Sequence, residues 1–169
     1  MKKLPLLLLI SVSSFLSAQN YELSTLRIGE YKIFMKKDVA EKLANKKFQK
    51  FDEYENKNSV NYFGEKIEVV GYSTYLSEAE PNVETVQYLG TKSKKFRTKS
   101  GMGVGNTRDE LLNAYKNYPN FSVSQSWDES DAKTTSYFRL SDYDARTELS
   151  FKLVNNVVVE VTIFVNEGC

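Results

Sequence analysis

Thr147-Glu-Leu-Ser-Phe-Lys-Leu-Val154, Asn155-Asn156 and Val157-Val-Val-Glu-Val-Thr-Ile-Phe-Val165 form the stretch on which the fold turns. In its first arm Leu149, Phe151 and Leu153 alternate with Ser150 and Lys152, the period of two expected of a strand with one buried face. The second arm is rich in valine, and the two asparagines between the arms tolerate the positive φ of a two-residue hairpin turn. A hairpin over 147–165 is therefore expected. If Leu149, Phe151 and Leu153 point inward, Ser150, Lys152, Glu160 and Thr162 lie on the opposite face.

Upstream, Thr134 to Leu140 reads as another strand, which sets Tyr137 and Arg139 on that same outer face. Phe121, Val123 and Trp127 alternate with Ser122, Ser124 and Ser126, the pattern of a half-buried strand. Ahead of them Thr107-Arg-Asp-Glu110 is a capping box, opening a helix from Arg108 to about Asn117 with Leu111, Leu112 and Tyr115 inward. Tyr118-Pro119 must end that helix. The C-terminal half is thus one helix followed by a four-stranded antiparallel meander.

The N-terminal half reads as a looser copy. Asp38-Val-Ala-Glu41 repeats the capping pattern and predicts a helix over 39–47, with Val39, Ala40, Leu43 and Ala44 on one face. Strand candidates follow at 60–63 and 66–72 about Gly64-Glu65, and at 83–90. The two capping signals lie 69 residues apart (107 − 38 = 69), which suggests tandem helix-plus-sheet units at 19–95 and 96–169. The expected class is α+β, with short helices packed on antiparallel sheet.

Residues 1–18 have the layout of a secretory signal peptide: Lys2 and Lys3, an apolar run from Leu4 to Ile10 continuing through Val12, Phe15 and Leu16, then Ser17-Ala18. A periplasmic or secreted protein is expected, whose only dealing with the membrane is through this cleaved segment. Its loss removes two of the 23 Lys+Arg and leaves 151 residues with 21 basic and 22 acidic groups, a net charge of −1. Such a chain has no field to attract nucleic acid. It contains no histidine and one cysteine, Cys169, so Ser-His-Asp and Cys-His nucleophiles, zinc sites built on His or Cys pairs and disulfide frameworks are excluded by inventory. No cofactor or metal is expected, and an enzyme is disfavoured because the commonest acid-base residue is missing.

Gly101-Met-Gly-Val-Gly-Asn-Thr-Arg-Asp-Glu-Leu-Leu-Asn-Ala-Tyr115, together with Leu149 to Ile163, resembles the repeat unit of beta-lactamase inhibitory protein-like domains and of the SmpA/OmlA outer-membrane assembly lipoproteins. In those families a G-x-x-x-G-x-[ST]-x-x-[ED] string leads into a helix, and a sheet closes with two hydrophobic strands about an Asn/Gly turn. The resemblance covers about residues 97–165. The chain departs from it in lacking a Gly soon after Tyr115, a lipobox cysteine and an internal disulfide. It implies non-enzymatic protein binding through a sheet face and names no partner.

Three further strings carry possible chemistry. Gly101-Met-Gly-Val-Gly105 precedes a helix N-terminus, but the dinucleotide fingerprint needs Gly where Asn106 stands and a phosphate loop needs Gly-Lys-Ser/Thr, so a flexible approach to the cap is expected. Lys92, Lys94, Lys95, Arg97 and Lys99 form a basic patch that could touch phosphate, headgroups or an acidic protein, or simply guard a solvated edge strand. Asp128-Glu129-Ser-Asp131 and Asp142-Tyr-Asp144 are acidic turns, without the ligand spacing of a calcium loop.

The function expected from these residues is an exported binding module that recognises a protein or envelope component through Tyr137, Arg139, Lys152, Glu160 and Thr162. Two alternatives stand beside it. One is a hydrolase of envelope glycans using carboxylates among Asp128, Asp131, Asp142 and Asp144, and the other is a structural subunit of a cell-surface assembly.

Overall fold

The computed structural model describes residues 20–51, 58–74, 83–128, 130 and 133–166. The signal segment, Glu129, Asp131 and Cys169 lie outside the described residues. Along the chain come β1 (Arg27–Ile28), β2 (Tyr31–Lys32), α1 (Lys37–Ala44), β3 (Asn58–Tyr62), β4 (Glu65–Thr74) and β5 (Val83–Thr91). After them come α2 (Arg108–Tyr115), β6 (Phe121–Gln125), β7 (Thr135–Asp142), β8 (Thr147–Val154) and β9 (Val157–Val165). The protein is α+β and mostly β. Strands β1 and β2 make a small ribbon, and the other seven form one antiparallel sheet in the order β3-β4-β5-β9-β8-β7-β6.

The hairpin at the centre of the sequence reading forms over the expected residues. Asn155 and Asn156 take φ of 50° and 65°, both in the left-handed region that the turn demands. Strands β6 to β9 are the expected meander, and β3 to β5 form a three-stranded counterpart. The two halves meet where β5 pairs with β9, through Tyr88↔Phe164, Leu89↔Ile163, Gly90↔Thr162 and Thr91↔Val161. The sheet therefore runs unbroken from one half into the other.

One face carries the core. Leu149, Phe151, Leu153, Val161 and Ile163 are buried on it together with Phe138, Leu140, Ile67, Val69 and Leu89. Helix α2 lies on β7 and β8, with the Tyr115 ring 5.9 Å from that of Phe138 and 6.4 Å from that of Phe151. Its capping box is complete: Thr107 Oγ1 accepts from the Glu110 backbone N–H, and Glu110 Oε2 accepts from the Thr107 N–H at 2.6 Å. The helix ends at Tyr115, two residues before the expected end, in a turn that Tyr118 N–H closes by donating to the Tyr115 carbonyl.

Helix α1 departs further from expectation. It starts at Lys37 with Lys36 as N-cap and no side-chain cap, so Asp38 lies inside its first turn. Glu41 turns toward the helix exit instead, where Oε1 accepts from the Phe48 N–H at 2.9 Å and Oε2 meets Lys47 Nζ at 2.7 Å. Asn45 in the left-handed conformation ends the helix three residues short of the expected 47. Of the four residues expected on its inner face Ala40 is buried and Ala44 packs on the core, while Val39 and Leu43 remain exposed.

Strand β6 also differs. Phe121 and Val123 point to the core side, opposite Leu140 and Phe138, yet keep 38% and 41% of their surface exposed because β6 is the last strand of the sheet and no other described strand flanks it. Alternation reports which face a residue takes; it does not report whether that face is covered.

Candidate functional site

The five outer-face residues of the meander come together through register. Ser124, Tyr137, Lys152 and Glu160 form one rung across β6, β7, β8 and β9, and Ser122, Arg139, Ser150 and Thr162 form the next. Tyr137, Arg139, Lys152, Glu160 and Thr162 all line a shallow concavity of about 550 Å³. Tyr88, Trp127 and Phe164 line it too, and sequence reading missed their part in it. Phe164 follows the alternation of Glu160 and Thr162 and was legible from period two, whereas Tyr88 arrives only through the long-range pairing of β5 with β9. Trp127 reads as a buried strand residue but lies past the end of β6 at 91% exposure.

The charges on this face are not equivalent. Arg139 Nε lies 3.1 Å from Glu148 Oε1, Nη1 donates to Ser124 Oγ at 2.7 Å, and the guanidinium sits 5.0 Å over the Tyr137 ring. It is committed to the sheet before any ligand arrives. Burial raises the Glu148 pKa, with Arg139 and then Ser141 pulling it back down. Lys152 and Glu160 face each other in register, and among the described residues neither makes an ion pair within 4 Å. Burial, then the charges of Glu160 and Glu68, push the Tyr88 hydroxyl upward, so it stays a neutral donor at ordinary pH.

The basic run is a loop after β5 rather than a guarded edge strand. Arg97 turns inward: its Nη1 donates to the Val104 carbonyl at 2.9 Å and to Asn106 Oδ1 at 3.2 Å, and Asn106 Oδ1 also accepts from the Gly103 N–H. The glycine string is therefore wrapped around Arg97. Gly105 N–H donates to the Val158 carbonyl and Val158 N–H to the Asn106 carbonyl, which fastens the loop to β9 in place of the flexible approach expected. Lys95 pairs with Glu65 at 2.8 Å and lies over the Tyr21 ring. Lys92, Lys94 and Lys99 remain exposed, so the patch is three exposed lysines around two cations that the fold employs.

The acidic turns stand at opposite ends of β7. Asp128 follows β6 beyond the Ser126–Thr135 hydrogen bond, and Asp142 closes β7 at its other end. Seven strand steps separate Thr135 from Asp142, roughly 23 Å at about 3.3 Å per residue. A two-carboxylate site needs about 5 to 9.5 Å, so carboxylates from the two turns do not meet across a glycosidic bond. Both Asp142 oxygens are also in use, one accepting from Thr25 Oγ1 and the other from the Ala145 N–H, each at 3.0 Å. Asp128 accepts from the hydroxyl and the N–H of Ser130, which holds its carboxyl below the usual range. Among the described residues no three Asp, Glu, His or Cys side chains gather around a point where a metal could bind.

Compared with protein-family models, with curated proteins and with solved structures, the chain matches none.

Proposed function

We propose that this protein is an exported, non-enzymatic binding module whose outer sheet face receives a protein or envelope component. Trp127 carries the reading. A tryptophan 91% exposed at the rim of a concavity lined by Tyr88, Tyr137 and Phe164 is costly to leave in water. Large aromatic anchors beside a few charged groups are the composition that binding centres favour. Lys152 and Glu160 supply the charges still free to meet a ligand, while Arg139 holds the platform rigid. Residues 1–18, with the layout of a signal peptide, support action outside the cytoplasm.

The test is affinity capture from envelope extract, at low and at moderate salt, by the purified chain and by its Trp127→Ala and Lys152→Glu variants. The expected result is a stoichiometric partner that Trp127→Ala loses at both salts and that Lys152→Glu holds more weakly, mostly at low salt. A partner captured equally by all three proteins rules out this face.

A further inference from the structure

The two edges of the seven-stranded sheet are treated differently. At β3 the edge is attended: Lys46 Nζ donates to the Ser59 carbonyl at 3.4 Å, and the Gln49 N–H donates to Asn58 Oδ1 at 2.8 Å. At β6, among the described residues, the edge is bare. The strand reads Phe121-Ser-Val-Ser-Gln125, with no charge, no proline and no bulge, so it carries none of the usual devices against strand addition.

Register shows which groups are free. Ser126 N–H donates to the Thr135 carbonyl and Ser141 N–H donates to the Asn120 carbonyl. The even-numbered residues of β6 therefore bond to β7, and the N–H and C=O groups of Phe121, Val123 and Gln125 point away from the sheet. We propose that this edge is the docking site for a second copy of the chain, pairing β6 with β6 antiparallel about a two-fold axis through Val123.

The sequence is self-complementary in that register. Phe121 faces Gln125 of the second copy, Val123 faces its own counterpart, and Gln125 faces Phe121, so all three outward residues meet outward residues at two hydrogen bonds per pair. No like charges oppose one another, since β6 has none, and the half-exposed Phe121 and Val123 side chains gain cover. Ser122 and Ser124 meet on the opposite face, which brings the two outer concavities side by side in one extended sheet. A five-residue edge buries less than the 1,200 to 2,000 Å² typical of stable complexes, so the association is weak and concentration-dependent.

The pairing is separate from the binding reading. Sedimentation equilibrium on the purified chain, from micromolar to about 1 mM, is expected to show one chain at the low end and two at the high end. Val123→Lys sets two lysines face to face on the two-fold and is expected to abolish the dimer, whereas Lys152→Glu leaves it intact. Both sites are at least partly exposed, and far-UV circular dichroism verifies the fold of each variant. In a Cys169→Ser background, a short thiol cross-linker is expected to join Val123→Cys chains. It should not join Gln125→Cys chains, whose thiols lie four residues apart along the strands, about 13 Å. A monomer throughout, a dimer indifferent to Val123→Lys, or cross-linking from position 125 and not from 123 each overturns the proposal.

Discussion

Arg139 lies between the Glu148 carboxylate and the Ser124 hydroxyl, and its environment makes a sharp titration prediction. Burial raises the Glu148 pKa above its ordinary 4.5, and Arg139 is the larger of the two influences pulling it down. A group that holds its proton more tightly in the folded state contributes stability that is full below about pH 4.5 and is lost as pH rises through the folded value. Side-chain carboxyl NMR is expected to place the Glu148 midpoint above 4.5, and Arg139→Gln is expected to move it higher still. A midpoint at or below 4.5, or a downward move in Arg139→Gln, contradicts the geometry. The same pairing explains why charge reversal at Arg139 is a poor probe of binding: it sets two carboxylates together and damages the sheet before it touches a ligand. Gly103 offers a second residue-scale test. A Cβ there comes to 2.4 Å from the Phe96 carbonyl oxygen and 2.6 Å from Arg97 Nη1, so Gly103→Ala forces the backbone and the guanidinium apart. Overpacking of this kind costs typically 1–3 kcal/mol, readable as a lowered urea midpoint; an unchanged midpoint shows that the loop is not wrapped tightly around Arg97.

The two helices share a capping spacing in sequence and use it differently, and the difference is measurable. Thr107→Ala removes a cap that is formed and is expected to cost about 1 kcal/mol. Asp38→Ala removes only an exposed first-turn carboxylate 3.7 Å from Lys42, and the urea midpoint should barely move. Equal losses would mean that Asp38 caps α1 after all. Spacing alone could not tell these cases apart, because whether Glu41 reaches back to the N-terminus or forward to Phe48 depends on where the chain goes after Ala44. The strands were more legible. Leu149, Phe151 and Leu153 against Ser150 and Lys152 fixed the face of β8 and, through it, the outer positions of β7 and β9, since an antiparallel register carries a face from strand to strand. What period two does not carry is the order of strands that are distant in sequence. The bare edge at β6 and the place of Tyr88 beside Phe164 both follow from that order, and neither has a local signal.

At the scale of the whole molecule, the joint between β5 and β9 decides whether the protein behaves as one body or two. The capping repeat 69 residues apart suggested two units, and each half does present a helix followed by antiparallel strands. The joint consists of four residue pairs, fewer than the eight that link β8 to β9, so by hydrogen bonds alone it is a narrow place in the sheet. Its side chains argue the other way. Leu89 and Ile163 face each other across it, both fully buried, within a single apolar cluster that reaches from Tyr31 and Ile67 to Phe138 and Leu153. A shared core makes unfolding of one half expose apolar surface on the other, which couples them into one transition. Leu89→Ala is accordingly expected to cost about 2–5 kcal/mol and to lower hydrogen-exchange protection in β4 and in β8 by the same factor. Loss of protection in β4 with β8 unaffected would show two cooperative units leaning on each other, and the outer face on β7, β8 and β9 would then survive without the N-terminal half.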